Sequence, residues 1–483
     1  MTREYETVIG LEVHVELAAR TKIFCGCSTA FGGSPNSHTC PVCTGMPGAL
    51  PVLNRQVLDY AVAVGLATHC EVAEYCRFDR KNYFYPDNPQ NYQISQLYLP
   101  VCREGYVDVE VPEGGRRIRI HEIHMEEDAG KLIHCEDGRH TLVDYNRSGV
   151  PLIEIVTEPD MGNAQEVIAF LENLRLLIQY LGASDCKLQE GSLRVDVNLS
   201  VREAGTAAPG IRTEMKNLNS FHAISRAIAS ERERQIALLE GGGKVVLETR
   251  RWDDGAGCSH AMRSKEEVRD YRYFPDPDLP PVRIDRAYLE QIRAQAPEFP
   301  TEKRIRYRQE YGIPDYDIRI ITDSKRMADL FEAATAICGQ PKKVSNWLMG
   351  ETLRLLRERN MDAQDICVSP GHLAALIGLV DKRVITGSVA KEVYEVMFES
   401  DVDPVEYVEE KGLKTVGDGE LLGRAAREAM AANPRSVADY RGGKEKALGF
   451  LVGQVMKALG GKADPVGVAE LLRELLRRDE TGA

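Results

Sequence analysis

The stretch Tyr5 to Ala18, YETVIGLEVHVELA, constrains this chain more than any other. From Leu11 onward the apolar residues Leu11, Val13, Val15 and Leu17 alternate with Glu12, His14 and Glu16. Successive side chains of a strand point to opposite faces, so this pattern predicts a half-buried strand with a clean core face. The other face carries carboxylate, imidazole and carboxylate in a row, spaced by about 6 to 7 Å. Such a row is either the solvated face of an edge strand or a set of metal ligands. Recurrence of the same polar face elsewhere favours the ligands.

Ser192 to Arg202, SLRVDVNLSVR, puts Leu193, Val195, Val197, Leu199 and Val201 on one face and Arg194, Asp196, Asn198 and Ser200 on the other. Val150 to Val156, VPLIEIV, holds Glu154 between Ile153 and Ile155 in a run too apolar for a surface strand. A carboxylate there must be paired, hydrogen-bonded or metal-bound. Ile120 to Lys131, IHEIHMEEDAGK, ends on Glu126, Glu127 and Asp128, and His124 shares a face with Glu126 if the chain stays extended. Ile211 to Asn219, IRTEMKNLN, alternates Arg212, Glu214 and Lys216 with Thr213, Met215 and Asn217. Together these stretches predict a sheet whose polar face floors an acidic pocket.

Carboxylate oxygens suit hard cations such as Mg²⁺ or Mn²⁺, and phosphates bring further negative charge to them, so phosphoryl transfer is the leading class. The Gly-rich run Glu240 to Lys244 lacks both the spacing and the Ser/Thr of a phosphate-binding loop. A nucleotide would be held by metals, Lys and Arg instead. There is no Gly-x-Ser-x-Gly elbow and no glycine-serine-serine run of the amidase type, so any ammonia used must be made by another chain.

A chain of 483 residues has length for two or three domains. Its start, MTREYETV, has charges where a signal peptide needs an apolar core, and no apolar run reaches the length of a membrane span. A cytoplasmic location is expected. Most of the 12 cysteines lie singly (Cys70, Cys76, Cys102, Cys135, Cys186, Cys258, Cys338, Cys367), which suits a reducing compartment and a packing role. The exception is Cys25-x-Cys27 followed by Cys40-x-x-Cys43. Four thiolates on two tight turns suit tetrahedral zinc, with His38 able to replace one ligand; otherwise the two pairs are coincidental. A closed four-sulfur site leaves no position for water, so its expected role is to pin a Gly- and Pro-rich loop.

Tyr75 to Gln96 is dense in aromatic, amide and basic residues. It reads equally as a base-stacking, phosphate-holding surface or as a structured loop packed on the domain. Asp270 to Pro281, DYRYFPDPDLPP, is forced by its prolines into an extended or turning path near a domain boundary. Helical periodicity then takes over, including Asp323 to Cys338 and Lys343 to Arg359, where Val344, Trp347, Leu348, Leu353 and Leu356 would line one face. Boundaries are expected near 293 and within the charged, Pro- and Gly-containing segment VDPVEYVEEKGLKTVGDGE. The expected class is α+β: a large domain on an antiparallel or mixed sheet over 1–293, an all-α domain over 294–405 and a small helical tail over 406–483. The chain's net charge of −13 arises entirely before residue 416. In the tail, Arg441, Lys444 and Lys446 flank a Gly-Gly entry into a helix, an arrangement suited either to phosphate or simply to solvent.

The segments VIGLEVHVEL, HTCPVCTGMPGALPVLN, RKNYFYPDNPQNYQISQ, IHMEEDAGK, DYNRSGVPLIEIVTEPD, GSLRVDVNLSV and RTEMKNLNSF resemble those of the B subunit of the tRNA-dependent amidotransferase, and the resemblance runs the whole chain. It implies a cradle-shaped first domain, a helical domain and a mobile tail that holds the elbow of tRNA, giving Arg441, Lys444 and Lys446 a use. It implies that a misacylated Glu-tRNA for glutamine, or Asp-tRNA for asparagine, is phosphorylated by ATP on its side-chain carboxylate and then amidated by ammonia. The ammonia would come from an amidase-type A subunit, with a small C subunit completing a heterotrimer. Neither membrane nor DNA is an expected partner.

By the same resemblance, His14, Glu127 and Glu154 fall at Mg²⁺ positions. Glu12, Glu126 and Asp196 fall at adjoining metal and supporting positions, and Lys81, Tyr83 and Asp276 in an ammonia channel. Arg194 and Lys216 are assigned from the polar-face pattern to nucleotide or acceptor-end phosphates. The expected cofactors are ATP, Mg²⁺ and a structural Zn²⁺. The competing expectation is a zinc-containing tRNA-binding module without catalysis, its carboxylates serving only the fold.

Overall fold

The computed structural model describes residues 4–112, 114–135, 138–206, 208–264, 270–415, 419–460 and 463–478. The chain separates into two compact units, Met1–Phe299 and Pro300–Ala483. The first combines a large sheet with helices and the second is helical, so the class is α+β followed by all-α.

Nine strands form the main sheet: β1 (Tyr5–Glu16), β2 (Glu71–Val72), β3 (Cys102–Val111), β4 (Gly114–Glu127), β5 (Pro151–Thr157), β6 (Leu193–Glu203), β7 (Thr213–Lys216), β8 (Glu248–Asp253) and β9 (Cys258–Ser264). Their order is β9-β8-β7-β6-β1-β5-β4-β3-β2. The sheet is mixed, since β7 and β8 run parallel while the other neighbours are antiparallel. The strand that organises the sequence therefore lies at its centre.

One face of this sheet is core. Leu11, Val13, Val15, Ile123, Met125, Ile153, Ile155, Val195, Val197 and Met215 are all buried, each contributing about 1.5 to 3 kcal/mol through removal of apolar surface from water. Helices α1 (Arg55–Ala67), α2 (Ala164–Leu181) and α3 (Phe221–Glu240) pack against strands β4, β3 and β6 respectively. Each helix starts on a side-chain cap: Asn54, Asn163 and Ser220 accept from Gln56, Glu166 and Ala223 amides. The helices thus cover the apolar face and leave the polar one to the site.

Among the single cysteines, Cys70, Cys76, Cys102 and Cys186 are buried, as packing requires. Gly105 must lack a side chain because a Cβ there would lie 2.2 Å from the Cys70 sulfur and 2.7 Å from the Thr68 carbonyl oxygen. Packing does not account for the other four: Cys135, Cys258 and Cys338 are half-buried and Cys367 is exposed.

The aromatic-rich stretches meet in a three-stranded sheet of Phe274–Pro275, Asp79–Asn82 and Tyr92–Ser95. Arg80 joins them, with Nε 2.7 Å from Asp276 Oδ2, Nη2 2.8 Å from Asp278 Oδ2 and its guanidinium 4.1 Å from the Tyr92 ring centroid. This arginine is part of the fold.

In the helical unit, Lys343 to Arg359 is not one regular helix. A π-turn over Leu348–Thr352 separates Pro341–Trp347 from Leu353–Arg359. The wider turn shifts the phase, so that Leu355 and Leu356 join Val344 and Leu348 in the core while Leu353 is only half-buried. Toward the end of the chain, Ala426, Leu451, Val455, Val468 and Leu472 build a separate apolar cluster.

Candidate metal and phosphate site

The register of the central strands builds the site. Arg194 on β6 lies opposite His14 on β1, which lies opposite Glu154 on β5, which lies opposite His124 on β4. Directly opposed residues share a face, so four polar side chains from four strands form one row. His124 Nε2 stands 2.9 Å from Glu154 Oε2, and His14 Nε2 stands 3.5 Å from the same oxygen. Glu126, one pleat along β4, lies 3.6 Å from His14 Nε2. His14, Glu126 and Glu154 each bring a ligand atom within 4.8 Å of the others.

Burial opposes charge on both imidazoles and both carboxylates, yet the pairs hold. For His14, burial pulls the pKa down, and the Glu154 and Glu126 carboxylates more than restore it. For His124, burial is outweighed by Glu122 and Glu154, leaving it at about 10. Burial raises Glu154 and the two imidazoles overcome this, drawing it well below the usual carboxylate range. Glu126 moves up, through burial and the Glu154 charge. Glu154 and the two imidazoles thus favour one another's charged forms. One polar atom is left over: His124 Nδ1 is buried without a hydrogen bond, its nearest carboxylate oxygen being Glu122 Oε1 at 3.5 Å.

A second group adjoins the first. Glu12, Asp196 and Glu214 also bring ligand atoms within 4.8 Å of one another. Lys216 Nζ lies 2.5 Å from Asp196 Oδ2 and 2.9 Å from Glu214 Oε1, while Asn198 donates to Glu12 at 3.0 Å and Thr249 to Glu214 at 2.7 Å. Burial, then Glu154, then the neighbouring acids lift Glu12 above the ordinary range, with Asn198 opposing. Glu214 is a ligand-type residue to which the sequence pattern by itself assigns no role. Its signal in the sequence is the alternation with Lys216.

Glu127 stands apart from these groups. Its carboxylate accepts from Gln90 Nε2 at 2.5 Å and the Ile94 amide at 2.9 Å, and burial lifts its pKa to about 8. It lines a cavity of about 320 Å³ together with Lys22, Cys25, Cys43, Arg80 and Gln90. Arg194 pairs with Asp128, Nη2 to Oδ2 at 3.1 Å. Lys81 Nζ lies 5.2 Å from the Tyr271 ring centroid, and Tyr83 meets the same ring edge-on at 6.4 Å. Asp276 is committed elsewhere: besides Arg80, it accepts from the amides of Asp278 and Leu279.

The sulfurs of Cys25, Cys27, Cys40 and Cys43 all lie within 4.8 Å of one another, with Cys40 and Cys43 at 4.0 Å. Tetrahedral zinc with bonds of about 2.3 Å needs sulfurs about 3.8 Å apart, so a small contraction completes the geometry. His38 is outside this group. In the tail, Arg441, Lys444 and Lys446 are exposed around Gly442 and Gly443, with Lys444 Nζ 2.8 Å from Asp439.

Residues 7–290 match the family model described as the GatB/GatE catalytic domain, and residues 329–476 match that described as the GatB domain. The B subunit of the aspartyl/glutamyl-tRNA(Asn/Gln) amidotransferase of Agathobacter rectalis is 65% identical over 474 residues, covering 98% of this chain and 100% of that protein. The protein of the same name from Lachnospira eligens is 63% identical over 482 residues, again 98% of this chain and all of the relative. Similarity of this depth along the whole length means that the chain belongs to the GatB family, the B subunits of tRNA-dependent amidotransferases.

Proposed function

We propose that this chain is the ligase subunit that amidates Glu-tRNA for glutamine, Asp-tRNA for asparagine, or both, at the expense of ATP and with ammonia from a partner. The observation that carries this reading is the pair of adjoining groups on the sheet, His14–Glu126–Glu154 and Glu12–Asp196–Glu214. Phosphorylating a carboxylate requires two anions to meet, and Mg²⁺ supplies the neutralising charge when bound there. His14, Glu127 and Glu154 would hold it, with Glu12, Glu126 and Asp196 at the adjoining positions and Glu214 beside them.

The chain's own residues do the rest. His14 and His124 fix the orientation of Glu154 through the contacts already described. Arg194 on β6 and Lys216 on β7, both on the same side of β1, offer cations to phosphate oxygens. A side-chain carboxylate oxygen attacks the γ-phosphorus of ATP and ADP leaves, giving an acyl phosphate; ammonia then adds to its carbonyl carbon and inorganic phosphate leaves, giving the amide. Lys81, Tyr83 and Asp276 are assigned to the ammonia channel. The four cysteines hold structural zinc, and the cradle over 1–293, the helical domain over 294–405 and the tail over 406–483 divide catalysis from grip on the tRNA elbow by Arg441, Lys444 and Lys446. Partner A and C subunits complete the enzyme, a glutamine-hydrolysing carbon–nitrogen ligase. A cytoplasmic setting is consistent with twelve cysteines outside any disulfide; no helix among the described residues is long and apolar enough to cross a membrane.

The test is ATP consumption and product identity with Mg²⁺ and ammonium, or glutamine plus the A and C partners, on Glu-tRNA for glutamine, Asp-tRNA for asparagine and correctly charged Gln-tRNA. Amide on a misacylated tRNA is the expected result. Absence of turnover with tRNA binding retained would leave a protein that only binds tRNA.

A further inference from the structure

Lys22 is completely buried. Among the described residues no carboxylate lies within ion-pair distance of it, although an uncompensated buried ammonium is strongly unfavourable. Its Nζ donates to the Tyr145 carbonyl oxygen at 3.1 Å, and its side chain lines the same cavity as Cys25 and Cys43. Its backbone amide donates to the Cys27 carbonyl oxygen at 3.0 Å, which ties the lysine to the first cysteine turn. Gly149, at φ +81°, closes the other side: a Cβ there would lie 3.6 Å from Cys43 Cβ, 3.6 Å from Lys22 Cδ and 3.9 Å from Glu127 Oε2, the carboxylate facing this cavity outside ion-pair distance of the lysine. A buried cation is thus held, from backbone and side chain, against a cluster of four thiols.

Zinc bound by four thiolates is a dianion, and its most buried ligand here, Cys43, needs positive charge or N–H donors nearby. The Cys40 amide supplies one donor to Cys43 Sγ at 3.2 Å. We infer that Lys22 is the fixed counter-cation of the zinc-loaded cysteine cluster, a positioning residue that retains the metal by neutralising part of the charge centred on Cys43. This rests on zinc occupying the cluster. It gives Lys22 a counter-charge where no carboxylate among the described residues reaches ion-pair distance.

The experiment uses the purified full chain. Zinc content is measured first, then the rate of zinc transfer to a chromophoric chelator, in the wild type, Lys22→Met, Cys27→His and the double variant. Cys27→His removes one negative charge from the metal unit while keeping four ligands. Lys22→Met should release zinc about tenfold faster, and that penalty should shrink to less than threefold in the Cys27→His background, because less charge remains to balance. Equal penalties in both backgrounds, or an unchanged rate in Lys22→Met, would overturn the inference while leaving zinc in place. If Lys22→Met alone does not fold, recovery of folded, zinc-containing protein in the double variant supports the inference and failure of that recovery counts against it. A wild-type chain without zinc would overturn the zinc assignment itself and the role of Lys22 with it.

Discussion

The acidic floor of the sheet and the four-cysteine cluster both gather ligand-type side chains, but the fold prepares them differently. On the floor, ligands come from adjacent strands whose register sets His14, Glu154 and His124 opposite one another. Its negative charge is partly balanced from within by imidazoles and by Lys216. In the cluster, ligands come from turns between Lys22 and Thr44, where regular secondary structure is nearly absent. Backbone ladders can hold the first geometry without an ion, whereas the second depends on the ion to offset the order it imposes.

Removing each ion is the strongest way to break this contrast. Stripping zinc should expose residues 20–54 to limited proteolysis about tenfold faster, while removing Mg²⁺ should leave the proteolysis pattern unchanged. Equal responses to both treatments would end the distinction. A smaller effect is expected from Lys216→Met, which leaves Asp196 and Glu214 without their shared cation. With Lys216 partly exposed, the loss should be about 1 to 2 kcal/mol in denaturant melts, and added Mg²⁺ should restore more stability in the variant than in the wild type. Identical Mg²⁺ effects would argue against a cation position there.

The smallest effect concerns Glu16, at the end of the same polar row. Burial, then the Asp128 charge, raise its pKa to about 7. A carboxyl raised on folding stabilises the native state below its unfolded value of about 4.3 and loses that contribution as pH rises through about 7. In metal-free protein, Glu16→Gln should therefore raise the melting temperature at pH 8 by a few degrees and leave it nearly unchanged at pH 4. A gain that is the same at both pH values would show that burial of charge is not the cause.

Much of the floor was legible because alternation reports faces directly. Glu154 stood out as a carboxylate inside an apolar strand, and His124 with Glu126 as a pair on one face. What alternation does not encode is which residues of different strands meet. Glu214 joins Glu12 and Asp196 only because β7 pairs with β6 over three residues in one register. Glu127, adjacent to Glu126 in sequence, is taken to a different environment by Gln90 and the Ile94 amide, partners contributed by a loop and a short strand more than thirty residues away. Likewise, the basic residues of Tyr75 to Gln96 suit phosphates and loop packing equally, and only the pairing of Phe274–Pro275 with Asp79–Asn82 shows that Asp276 and Asp278 hold Arg80. The π-turn was hidden because a leucine-rich segment satisfies a regular helix and an interrupted one alike.

The most direct test is amide formation on misacylated tRNA by Glu154→Gln, assembled with its partner subunits and matched to the wild type for zinc content and melting temperature. Replacing the carboxylate that both imidazoles grip should cut ATP-dependent amide formation by about a thousandfold or more while tRNA affinity changes less than threefold. Turnover within a fewfold of the wild type would contradict the assignment of the sheet's polar face as the site of chemistry.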